Sequence, residues 1–143
     1  MTTRHPSASP TPIRFGSRPT VATGFVRRQG QDELFEAVFA HSEPRTVLTG
    51  MRGSGKTQLA AAVAARCEEE GWPLVAWIRA TSRKEIIVGL YELALRIGID
   101  APKNIPLEVI VQRLLDQLRS AEAADRLFVF DNVENPDDLR DLI

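Results

Sequence analysis

The residues best equipped for chemistry lie in "GMRGSGKT", Gly50 to Thr57. Three glycines in six positions leave the main chain unshielded, so a ligand can approach its N–H groups closely. The apolar-leaning "RTVLT" comes before, and the alanine-rich "QLAAAVAARCEEEG" that follows reads as a helix. A helix N-terminus carries unpaired N–H groups and about half a positive charge from its aligned peptide dipoles. A glycine loop opening onto such an end is an anion cradle, best suited to phosphate. Lys56 adds a cation there, and Thr57 a hydroxyl able to reach a metal ion.

Gly50, four residues, Gly55, Lys56 and Thr57 together fit the P-loop (Walker A) spacing. The phosphate-binding set is then Gly50, Gly53, Ser54, Gly55, Lys56, Thr57 and Gln58. Main-chain N–H groups from about Gly53 to Thr57 would surround the α- and β-phosphates. Lys56 would reach between the β- and γ-phosphates, and Thr57 would ligate Mg²⁺. A second half of the site is expected in "RLFVFDNVENPDDL". Leu127 to Phe130 read as a buried strand with Asp131 at its C-terminal end, where ligands of parallel α/β sheets gather. Mg²⁺ prefers oxygen ligands, so Asp131 is the candidate to hold it through water while Thr57 binds it directly.

The elements positioning these groups alternate between strand and helix. "PLVAWIRA" (Pro73 to Ala80) is a nearly continuous apolar run, as a parallel strand buried on both faces requires. Trp77 within it reads as core. "SRKE" (Ser82 to Glu85) matches a helix-capping box, and Ile86, Ile87, Leu90, Leu93, Ala94 and Ile97 then form one apolar face closed by Gly98. "PLEVIVQRLLDQLRS" predicts a further amphipathic helix opened by a proline. "DELFEAVFAHS" (Asp32 to Ser42) predicts one ahead of the glycine motif. Asn135 and Pro136 predict another helix start after Asp131.

Composition narrows the function classes. The chain has 143 residues, 43% hydrophobic and 26% charged, without an apolar run of membrane-spanning length. Residues 1–30 hold five arginines and no acid, and the rest has 13 basic against 19 acidic residues. That acidic body argues against direct nucleic-acid binding. The Pro-, Ser- and Arg-rich residues 1–22 predict a disordered leader. Cys67 is the single cysteine, which excludes an internal disulfide and fits a small core residue in a cytoplasmic protein.

Taken together, "GMRGSGKTQLAAAVA", "PLVAWIRA", "SRKEIIVGLYELALRIGI" and "LFVFDNVENPDDL" resemble the NB-ARC type of STAND signalling NTPase, its actinobacterial members above all. The resemblance covers about residues 25–143. It implies an α/β fold of three layers around a parallel sheet, binding ADP or ATP with Mg²⁺. "FVRRQGQDEL" is similar to that family's opening motif, so Val26 and Arg28 would frame the adenine. Arg27 stands where the family has glycine, and "QGQ" lengthens the motif before its acids. Many relatives carry a second acid after the last apolar strand, but this chain has Asn132, whose amide cannot take a proton from water. Slow hydrolysis, or none, is expected. The resemblance further implies that a later strand inserts between the glycine-motif strand and the Asp131 strand. On that basis residues 23–143 read as a partial nucleotide-binding domain, truncated after its metal-binding strand.

The leading expectation is therefore the adenine-nucleotide module of a regulatory switch, self-associating according to nucleotide in a longer protein. A conventional P-loop ATPase or kinase is the alternative, and a non-catalytic remnant acting only through its surfaces is the third.

Overall fold

The computed structural model describes residues 12–19, 45–51, 54–120, 126–140 and 142; side chains of residues 45–57 and of Ser120 lie outside that description. The helix expected over Asp32 to Ser42 and the opening motif with Val26 and Arg28 also lie outside it.

Four parallel strands make one sheet: β1 (Ile13–Phe15), β2 (Arg45–Met51), β3 (Leu74–Arg79) and β4 (Arg126–Asp131), in the order β1-β3-β4-β2. Helix α1 (Ser54–Glu69) covers one face, and α2 (Arg83–Ile97) packs with α3 (Leu107–Ser120) over the other. The result is a three-layer α/β architecture. Strand period 2 explains how one apolar run serves both faces. Val75, Trp77, Leu127 and Val129 join Ala60, Ala61, Val63, Ala64 and Cys67 of α1 in one core. Leu74, Ala76, Ile78, Phe128 and Phe130 join α2 and α3 in the other. Cys67 is fully buried, as a small core residue would be.

Helix ends are built from the residues that read as punctuation. Gly71 and Gly98 take positive φ after α1 and α2, where a Cβ would be strained. At each end two backbone bonds close the last turn: Trp72 N–H to Cys67 and Gly71 N–H to Glu68, then Ile99 N–H to Ala94 and Gly98 N–H to Leu95. At the start of α2, the Ser82 hydroxyl accepts from the Glu85 N–H at 3.2 Å. Glu85 reaches back one residue beyond the expected cap and accepts from the Thr81 N–H at 3.1 Å and from the Thr81 hydroxyl. Arg126, buried at the start of β4, donates to the Leu118 carbonyl at 2.9 Å and so caps the end of α3.

Three expectations are corrected. Ile13–Phe15, inside the stretch read as a disordered leader, form an edge strand paired with β3. Two arginines fasten it. Arg14 donates to the Trp72 carbonyl at 2.7 Å, and Arg18 pairs with Glu68 at 2.9 Å, both at the carbonyl-rich end of α1 where cations are favoured. Second, no strand separates β2 from β4, which hydrogen-bond directly from Arg45↔Arg126 through Leu48↔Val129. Two such strands satisfy each other's N–H and C=O groups, which cannot stay bare beside apolar side chains. Third, the helix start at Pro136 is a short 3₁₀ turn, Pro136–Leu139, capped by Asn135, and Leu139 is buried against the α2 and α3 layer.

Candidate functional site

The strands start level, so their C-terminal ends gather on one edge of the molecule. Register aligns Met51 with Asp131, and Asp131 with Arg79. Helix α1 begins at Ser54, three residues after Met51. The sequence motif is thus split between elements. Gly50 and Met51 still belong to β2, Ser54, Gly55, Lys56, Thr57 and Gln58 open α1, and Gly53 lies outside the described residues. The helix starts ahead of the "QLAAAVAARCEEEG" run that reads as helical, and the strand runs two residues further than "RTVLT". The N–H groups of Ser54 to Thr57 are those of a first helical turn, which have no intrahelical acceptor.

Asp131 lies beside this junction. Two residues on from Val129, it falls on the α1 face of the sheet by strand alternation. Its backbone is fixed by pairing on both sides and by the Ala80 N–H, which donates to the Asp131 carbonyl at 2.8 Å. The indole N–H of Trp77 donates to Oδ2 at 3.3 Å. Oδ1 is buried and has no hydrogen-bond partner among the described residues. A carboxylate half satisfied in this way has an acceptor left for a metal-bound water, so the residue fits the role read from sequence. No group of three His, Cys, Asp or Glu side chains converges on a metal position among the described residues. Mg²⁺ needs none, since one carboxylate with a hydroxyl, waters and phosphates can hold it.

Asn132 follows with φ of 62°, a left-handed conformation that asparagine tolerates better than most residues. The turn it makes sends the chain away from the sheet toward the exposed Glu134. Sequence reading assigned Asn132 only a missing function; its backbone conformation gives it a structural one.

A cleft of about 570 Å³ opens at the strand ends, beside α2. Apolar Phe15, Ile78 and Val88 and polar Lys84, Glu92, Asp131 and Asn132 are among the residues that line it. Gly89 lets α2 sit close to β3, since a Cβ there would come 3.0 Å from Ile78. Its described lining residues come from β1 and the turn after it, from β3, from α2 and from the end of β4. Its charges, from Arg79, Lys84, Glu85 and Glu92, are of both signs and mark no single ligand class.

Glu85 has a carboxyl held below the usual carboxylate range, chiefly by the Thr81 hydroxyl. Burial opposes this, while the Thr81 N–H and the Arg79 charge add to it. Both contacts support the start of α2, so this perturbed acid is structural. No helix among the described residues is long and apolar enough to cross a membrane. Comparison with protein-family models, with curated proteins and with solved structures finds no match to this chain.

Proposed function

We propose that the chain binds an adenine nucleotide, ADP or ATP with Mg²⁺, as the P-loop module of a STAND-type cytoplasmic switch, with slow hydrolysis or none. The observation that carries this reading is the junction where Met51 of β2 stands level with Asp131 of β4, just before α1 begins. Phosphate would meet the first-turn N–H groups of α1. Lys56 adds charge to the β- and γ-phosphates, and Thr57 and Asp131 hold Mg²⁺, which neutralises phosphate charge when bound. Gly50, Gly53, Ser54, Gly55 and Gln58 complete the cradle, with Val26 and Arg28 on the adenine. Low turnover is supported by Asn132, which cannot accept a proton, and by Glu134, which stands exposed in solvent.

A second reading has one observation in its favour. Direct pairing of β2 with β4 is the arrangement of P-loop kinases and GTPases, where no strand intervenes. That supports a conventional ATPase or kinase, with the cleft beside Asp131 as room for an acceptor. Nucleotide titration combined with single-turnover assay separates the two. The switch reading expects ADP binding and ATP turnover far below about 1 s⁻¹, the lower end of ordinary enzyme rates. Rapid phosphate release or transfer to a small acceptor would favour the enzyme, and failure to bind either nucleotide would sink both readings.

A further inference from the structure

Trp77 has more to do than fill space. It is 4% exposed and sits among Val75, Leu127 and Val129 on the α1 face. Phenylalanine would bury a ring there without a polar atom. An indole N–H taken into a core needs an acceptor, and this one finds Asp131 Oδ2 across the β3–β4 pair. The Asp131 backbone is paired with strands on both sides, so tying one carboxylate oxygen sets the orientation of the other. That other oxygen, Oδ1, is buried without a partner among the described residues. A pair built only for stability would leave this atom as an uncompensated cost. A pair built to present an acceptor would not.

We propose that Trp77 is a positioning residue: its indole N–H holds Asp131 Oδ2 so that Oδ1 is the oxygen offered to the metal hydration shell. This rests on the Mg²⁺–nucleotide reading above. The role acts through Asp131 and involves no contact between Trp77 and nucleotide. It predicts a defect confined to the metal-dependent part of binding, which loss of core packing would not mimic.

The test uses the full chain and ADP as probe, with affinity measured in Mg²⁺ and in EDTA for four proteins: unaltered, Asp131→Asn, Trp77→Phe and Trp72→Phe. Trp72 lies in the same core, and its replacement controls for packing. Trp77→Phe should lose roughly three- to tenfold in Mg²⁺, the worth of one ordinary hydrogen bond, and little in EDTA. Trp72→Phe should leave the ratio between the two conditions unchanged. Equal losses for Trp77→Phe in both conditions, or no loss, beside a Mg²⁺-specific defect in Asp131→Asn, would overturn the positioning role and leave the nucleotide reading standing. If the unaltered chain binds ADP identically with and without Mg²⁺, the nucleotide–metal reading itself fails. A measurement on the unaltered chain guards against a Trp77→Phe protein that does not fold. Its ¹H–¹⁵N spectrum should contain an indole signal, absent from neither Trp72→Phe nor Asp131→Asn, that moves in Asp131→Asn and moves again when Mg²⁺ joins bound ADP. An indole signal indifferent to both changes would overturn the proposal.

Discussion

At Asn132 a single backbone angle explains a residue choice that chemistry alone leaves puzzling. With φ of 62°, most L side chains would press Cβ against the backbone, at a cost of about 1–2 kcal/mol. Asn132→Gly should therefore be neutral in stability, whereas Asn132→Val should lose about that amount in urea unfolding. Equal stability of the two would mean that the turn is not strained. Lys56, Thr57 and Asp131 were legible as candidates because their spacing and their places at element ends are visible in the sequence. The Trp77–Asp131 bond was not. A tryptophan inside "PLVAWIRA" is indistinguishable from core until strand register brings residues 77 and 131 together. The one available signal was that a buried indole N–H must find an acceptor.

At the scale of elements, α2 was readable almost in full, since Ser82, the apolar face and Gly98 each have a local physical cause. The exact partner of Glu85 was not, because whether it caps Ser82 or Thr81 depends on the turn leaving β3. That contact gives α2 a pH dependence. The Glu85 carboxyl is lowered in the folded chain, so its contribution is complete above the unfolded value of about 4.3 and is lost as pH falls below it through the folded value. Stability of the unaltered protein should exceed that of Glu85→Gln at neutral pH, and the difference should shrink in acid. A difference that persists unchanged well below pH 4 would assign the effect to shape and not charge. The edge strand β1 was missed because three residues amid prolines carry no periodic signal. Its place depends on Gly16, which at φ of 92° passes so close to β3 that a Cβ would lie 2.0 Å from the Trp77 carbonyl oxygen. Gly16→Ala should detach β1 at a cost of about 1–3 kcal/mol. The Ile13 N–H, bonded to Pro73 at 2.9 Å, should then lose its protection from hydrogen exchange. Retained protection would show that the strap tolerates the methyl group.

For the whole molecule, strand order was the part least legible in the sequence. Period and punctuation identify strands, but neighbours are chosen by long-range pairing, which no local pattern encodes. Resemblance suggested a later strand between β2 and β4; the direct β2–β4 ladder removes that premise. One sheet with a buried layer on each face should unfold cooperatively, and near-UV signal and helical signal should be lost together on heating. Separate transitions would mean that the layers are not one cooperative unit. Nucleotide should raise that transition, by about 2.7 kcal/mol at a hundredfold excess over Kd. Calorimetric titration of ADP with Mg²⁺ into the unaltered chain and into Lys56→Ala goes directly to the phosphate cradle at the start of α1. Lys56→Ala should bind roughly 30- to 150-fold more weakly, a loss of about 2–3 kcal/mol for one charge-assisted contact. Equal affinity in the two proteins, or none in the unaltered one, would contradict nucleotide binding at Gly50–Thr57.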